Sequence, residues 1–156
     1  YDQKMIYGVN FKTENYKGNE ATSKYARSGL KPDKINIYLK MIEVYMREQK
    51  PFTNGEMTIF DMSASLNIPK HYITEIINGQ LGKNFYTLVN EYRVEEVKMM
   101  MADPKKDNFS ILAIAYDSGF NSKSTFNTIF KNATGKTPSQ YRKDIIIDRN
   151  KRGKCE

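Results

Sequence analysis

Few residues in this chain are suited to chemistry. It has one histidine, His71, and one cysteine, Cys155. A Cys–His nucleophile would have to be assembled from these two alone, with Cys155 in the tail. A conventional zinc site wants four ligands, mostly Cys or His, and is excluded. An internal disulfide framework needs more than one cysteine and is excluded too. Glu95 and Glu96 are adjacent, so on a helix they point in different directions and make a poor acid–base pair. No phosphate-binding glycine loop is present. The sequence therefore predicts neither an enzyme nor a cofactor. Attention passes to the polar side chains of two short segments, 70–78 and 122–131, and to the elements that must hold them.

The chain has 156 residues, one ordinary domain or two very small ones. Lys and Arg number 25 against 18 Asp and Glu, giving a net charge of +7 and a pI near 9.3, a balance that suits a polyanionic partner. The charge is uneven. Residues 1–50 carry 10 basic and 6 acidic groups, residues 51–109 carry 6 and 8, and residues 110–156 carry 9 and 4. A polyanion-binding surface should therefore lean on the C-terminal third. No stretch approaches the ~18 apolar residues of a membrane span, and the polar first residues are unlike a secretory signal.

Residues 1–30 read as a polar arm punctuated by Gly8, Gly18 and Gly29. Met5, Ile6, Tyr7, Val9 and Phe11 would make a short strand there only with a partner. Helical periodicity begins at Pro32, with Ile35, Leu39, Ile42 and Met46 on one face, and predicts a helix over about 33–49. A second helix is expected over 58–66. A third, opened by Pro69 at its first position, should run to about Asn78. Phe85, Leu88, Val89, Tyr92 and Val97 mark a longer helix over about 85–101. Ser110 is a good N-cap for a helix reaching Ser118. Ser122–Thr134 is the next, closed by Gly135, and a short last helix begins near Pro138. The body is therefore expected to be all-α, with about seven helices.

The informative feature is self-similarity. At a shift of 52 residues Thr58 meets Ser110, Ile59 meets Ile111, Met62 meets Ile114, Ser63 meets Ala115 and Ile68 meets Phe120. One inserted residue later, Ile73 meets Phe126, Ile76 meets Ile129, Ile77 meets Phe130, and Gly82-Lys83 meets Gly135-Lys136. Each copy is a short helix, a turn plugged by an apolar residue, and a second helix: a helix-turn-helix pattern. The boundaries are then an arm at 1–30, a first helix-turn-helix subdomain at 31–83, a linker helix at 84–103, a second subdomain at 104–145 and a basic tail at 146–156. Each second helix has an apolar side. Ile73, Ile76 and Ile77 leave Lys70, His71, Tyr72, Thr74, Glu75 and Asn78 outside. Phe126, Ile129 and Phe130 leave Lys123, Ser124, Asn127 and Thr128 outside.

The second copy carries Ile114-Ala115-Tyr116-Asp117-Ser118-Gly119-Phe120, then Ser124, Phe126, Phe130-Lys131, Gly135 and Thr137-Pro138-Ser139-Gln140-Tyr141-Arg142. This run resembles the DNA-binding domain of AraC/XylS-type transcription regulators. The first copy matches more loosely, through Leu66, Ile68, Ile73, Gly82, Phe85 and Arg93, so the likeness covers about residues 33–143. Ser63 stands where the family usually has Ala, Pro69 where Ser is usual, and Glu75 and Thr128 where Arg is common. These departures touch the identity of base contacts, not the fold.

The resemblance implies sequence-specific binding of double-stranded DNA, with two recognition helices entering successive major grooves. A linker helix of about 17 residues is about 25 Å long. With the helix-turn-helix bodies at its ends it would place those helices roughly 30–35 Å apart, near one turn of B-DNA. The implied DNA-binding residues are Lys70, His71, Thr74, Glu75 and Asn78 in the first copy and Ser122, Lys123, Ser124, Asn127, Thr128 and Lys131 in the second. Glu75 would accept from a cytosine amino group, Lys123 donate to guanine and Asn127 pair with adenine, while Lys131 suits a phosphate. Gly119, Phe120, Gly135 and Pro138 read as structural. Arg93 reads as the anchor of an inter-helix ion pair, Arg142 as an anchor or a phosphate contact.

Duplex DNA is thus the expected partner, with RNA polymerase and an upstream sensor or dimerisation domain as further candidates. The expected location is the cytoplasm, at the nucleoid. The arm would alternatively serve as the juxtamembrane linker of a membrane-anchored regulator. A rival reading is a helical protein–protein adaptor or signalling output module. That reading calls for an apolar patch on the outer faces of the two recognition helices, and those faces are polar or charged.

Overall fold

The computed structural model describes residues 29–153. The expected strand at Met5–Phe11 and the end of the basic tail, Lys154 and Cys155, lie outside the described residues. Within them the chain forms seven α-helices and two short 3-10 turns, with no strand. The helices are α1 (Pro32–Gln49), α2 (Ile59–Leu66), α3 (Lys70–Leu81), α4 (Phe85–Ala102), α5 (Ile111–Asp117), α6 (Lys123–Thr134) and α7 (Pro138–Arg152). The 3-10 turns are Pro51–Thr53 and Pro104–Lys106. Among the described residues no helix is long and apolar enough to cross a membrane.

The helices divide between two compact units. Among the described residues, the first holds residues 29–51 together with Met57–Val89, and the second holds Phe52–Glu56 together with residues 90–153. Helix α4 is thus shared, rather than forming a linker of its own. Five residues that precede the first helix-turn-helix in the chain belong to the second unit.

In the first unit, α1 starts with Pro32 in its first turn and Asp33 beside it, where fixed φ and a negative charge both favour a helix. Ile35, Leu39, Ile42 and Met46 are buried, as the periodicity requires. Helix α1 packs on α2 and α3. Helix α2 opens with a reciprocal capping box. The Thr58 hydroxyl accepts from the Asp61 N–H, and the Asp61 carboxylate accepts from the Thr58 N–H at 2.7 Å. The Thr58 hydroxyl also donates to that carboxylate at 2.7 Å, and this bond, with the one from the Thr58 N–H, holds the Asp61 carboxyl below its ordinary pKa. Two expectations for α3 need correction. Pro69 is the N-cap, not the first helical residue, and the helix runs on through Gly79 to Leu81. Its stop is Gly82, in the left-handed region at φ +64°. The buried contacts of Ile73, Ile76 and Ile77 outweigh the helix cost of a single glycine, about 1 kcal/mol.

The second unit is built around Val94, Val97 and Met101 of α4, Ile114 and Ala115 of α5, Phe120 of the turn, and Phe126 and Phe130 of α6. Tyr141 and Ile145 of α7 pack against that cluster. The last helix is not short. It opens on a Thr137–Gln140 capping box and continues to Arg152, so most of the expected basic tail is helical. Arg142 donates to the carbonyls of Lys106, Asp107 and Phe109, and Arg149 to Asp107 Oδ2 and the Ala102 carbonyl. Arg142 is therefore an anchor, and Arg149 ties down the segment read as a tail.

The internal repeat is visible in the backbone. The Ile68 N–H donates to the Ser63 carbonyl at 3.2 Å, and the Phe120 N–H donates to the Ala115 carbonyl at 3.1 Å. The plug residue of each turn is thus held at the same point of its first helix, and both plugs are buried. The Ser63 hydroxyl adds a bond to the Ile68 carbonyl that Ala115 cannot make.

Candidate nucleic-acid interface

Each unit presents the outer face of one helix, α3 or α6. On α3, Lys70, His71, Thr74 and Asn78 are exposed, while Glu75 is half-buried. Lys70, His71 and Thr74 have local partners. The Lys70 ammonium sits 4.6 Å from the centre of the Phe60 ring, a cation–π contact that fixes it beside α2. The His71 ring lies 4.2 Å from that of Tyr72. The Thr74 hydroxyl donates to the Lys70 carbonyl at 3.0 Å, so outward it offers its methyl group and its acceptor capacity.

On α6, Lys123, Ser124, Asn127, Thr128 and Lys131 are all exposed, with Phe126 and Phe130 buried beneath. Ser122 is half-buried. It caps the helix by accepting from the Thr125 N–H and lies 3.0 Å from the Ser124 hydroxyl. Lys123 and Asn127 are one helical turn apart and share an edge of the helix. The face offers donors and acceptors that suit base edges, with cations near both ends. Among the described residues no group of three or more His, Cys, Asp or Glu is placed to hold a metal.

What supports α6 was not foreseen from the sequence. Arg93 is an anchor, as expected, but for backbone carbonyls, with no ion pair among the described residues. Its Nε donates to the Phe52 carbonyl at 2.8 Å and a terminal nitrogen to the Asn54 carbonyl at 3.0 Å. Burial lowers the Arg93 pKa, opposed by the charge of Glu56. Phe52 is fully buried and its ring stacks on that of Tyr92 at 5.5 Å. Asn121 reaches the same loop, donating to the Gly55 carbonyl at 3.1 Å and to Glu56 Oε1 at 2.9 Å. No sequence pattern joins residues so far apart in the chain. The one local sign was Gly119, whose φ of +101° lies where L side chains are rarely found.

Two small all-helical units, each with a buried turn plug and a polar outer helix, define a tandem helix-turn-helix protein. Comparison with known proteins agrees. The model of the family described as "Helix-turn-helix domain" matches residues 62–144. An uncharacterized HTH-type transcriptional regulator of Staphylococcus aureus (strain COL) is 25% identical over 91% of this chain. The raffinose operon transcriptional regulatory protein RafR of Pediococcus pentosaceus is 29% identical over 74% of this chain and 42% of its own length. Among solved structures, the C-terminal domain of AraT, a response regulator from Geobacillus stearothermophilus, aligns with a TM-score of 0.53 and 26% identity, covering 74% of this chain and 88% of that one. The C-terminal domain of the response regulator yesN from Fusobacterium nucleatum shares the fold, with a TM-score of 0.56. The chain belongs to the AraC-type helix-turn-helix family, a family of DNA-binding transcription regulators rather than enzymes. It spans 17% of the length of the staphylococcal relatives.

Proposed function

We propose that this chain reads a specific duplex DNA sequence through α3 and α6, one recognition helix from each unit, in successive major grooves. The observation that carries this reading is the duplicated unit with its duplicated outer face: the same buried positions recur, and the residues left outside in both copies are polar. Lys123 donates to guanine O6 and N7, and Asn127 makes the paired bonds to adenine. Glu75 accepts from a cytosine amino group, and the Thr74 methyl packs on a thymine methyl. His71, Asn78, Ser124 and Thr128 fill in the two faces. Lys70 and Lys131 hold phosphates, and Ser122 acts at the N-terminus of α6. Phosphate contacts supply most of the affinity, and base contacts the selectivity.

The binding requires no chemistry and no cofactor. In the longer protein a sensor or dimerisation domain would set when the DNA is bound, and RNA polymerase would receive the signal in the cytoplasm. The test is footprinting with the chain itself, which should protect an asymmetric site of about 20 base pairs. Inserting 5 base pairs between the two elements turns one of them to the opposite face of the duplex. Affinity should then fall to that of a single unit; unchanged affinity would mean that only one unit reads DNA.

A further inference from the structure

The turn that launches α6 rests on a piece of chain from far upstream. Asn121 is the last residue before the N-cap Ser122, and its amide nitrogen is bonded to both the Gly55 carbonyl and Glu56. Two residues earlier, a Cβ on Gly119 would collide with the Phe52 carbonyl oxygen and lie 2.8 Å from Arg93 Nε. From below, Arg93 holds the same loop by the Phe52 and Asn54 carbonyls. The fit is tight on the loop's side too, because a Cβ on Gly55 would collide with the Asn121 side chain. Loop, arginine and turn all lie within the second unit.

We propose that Asn121 and the Phe52–Glu56 loop are positioning elements for DNA reading: they fix the angle at which α6 leaves its turn, and hence where Lys123 and Asn127 meet the base edges. The inference rests on the reading of α6 as a recognition helix. Its physical basis is a difference in tolerance. Paired hydrogen bonds to a base need good distance and direction together. A lysine on a phosphate is a flexible point charge and follows small shifts of its helix. Loosening the loop should therefore erode selectivity while leaving general affinity for DNA in place.

Gly55 allows a test from the opposite side. Its φ is not positive, so alanine suits its backbone, and the added methyl group displaces Asn121 without altering it. The full chain would be compared with Gly55→Ala, Asn121→Ala, the double variant, and Asn121→Leu, which keeps the approximate size without adding a charge but loses the amide donor. The probes are a duplex selected by the wild type from a randomised pool and an unrelated duplex of equal length. Thermal unfolding confirms that each variant is folded.

Each single variant should lose about tenfold in preference for the selected duplex, the scale of one impaired base contact. The loss should map to the element read by the second unit. Binding to the unrelated duplex and the salt dependence should stay as in the wild type. The double variant should be no worse than the poorer single one, because the group that the Gly55→Ala methyl displaces is gone. Unchanged preference in the folded single variants, equal loss on both duplexes, or additive losses would each overturn the proposal. A wild type that binds all duplexes alike would overturn the DNA-reading assignment itself, and this inference with it.

Discussion

Replacing Gly119 by alanine should cost the second unit about 4 kcal/mol, from two sources. The first is backbone strain. At φ +101° Gly119 lies beyond the small left-handed well open to other residues, and holding alanine there costs about 1–3 kcal/mol. The second is collision. The new Cβ overlaps the Phe52 carbonyl oxygen, which belongs to backbone and cannot simply rotate away. The loop must retreat, breaking the 2.8 Å bond that the half-buried Arg93 guanidinium donates to the carbonyl of buried Phe52, at about 1–3 kcal/mol. Gly82 and Gly135 are built-in controls. They too have positive φ, +64° and +74°, but a Cβ on either meets nothing within 4 Å. Alanine there should cost only the left-handed conformation, about 1–2 kcal/mol. Urea unfolding of the full chain measures all three. Tyrosine fluorescence suits it, since the chain has 11 Tyr and no Trp. If Gly119→Ala proves no more costly than Gly82→Ala or Gly135→Ala, the close approach of turn and loop does not exist as described.

The remaining predictions concern binding and acid. DNA affinity should fall steeply with salt, with a log–log slope near −5 if about 6 phosphates are neutralised, and a flat salt titration would remove DNA as the partner. Lys123→Ala and Asn127→Ala should each relax preference at a particular base pair by about 1–3 kcal/mol, whereas Lys131→Ala should weaken all duplexes alike; selection from a randomised pool separates the two patterns. Folding holds the Asp61 carboxyl below its ordinary value of 3.8, so its contribution to stability is complete above that pH and disappears as pH falls through the lowered folded value. Wild type should therefore lose its advantage in urea over Asp61→Asn across that acid window, and an advantage unchanged below it would show that the Thr58–Asp61 box contributes no proton-linked stability.

Most of the helical order was legible because it is written locally. A 3.6-residue rhythm, Pro32 at a helix start, Ser110 at a cap and Gly135 at a stop are all read within one or two turns of chain. The outer faces of α3 and α6 were legible for the same reason, since Ile73, Ile76 and Ile77, or Phe126 and Phe130, choose the inner face. Three features were hidden, each depending on a distant partner. The length of α7 follows from Tyr141 and Ile145 packing on the second core and from Arg142 and Arg149 gripping segments more than 30 residues upstream. A guanidinium suits a carboxylate as well as a carbonyl, so the sequence could not tell that Arg93 binds the backbone of residues 52–54. Glu75 looked like an outward residue on the helical wheel and is half-buried in place.

The discontinuous make-up of the second unit bears on how the protein is made and how it can be divided. To the eye the sequence is two tandem cassettes, and residue 84 is the natural place to separate them. A fragment cut there would keep Arg93, Gly119 and Asn121 but lack the segment they enclose, exposing Tyr92 where Phe52 had covered it. During synthesis the order is reversed: Phe52–Glu56 leaves the ribosome well before Arg93 and Asn121 exist to receive it. The first unit is complete once Val89 has emerged, whereas the second must recover a segment already made. The two similar cassettes are therefore not interchangeable parts, and exchanging second units between relatives should succeed only when residues 52–56 travel with them.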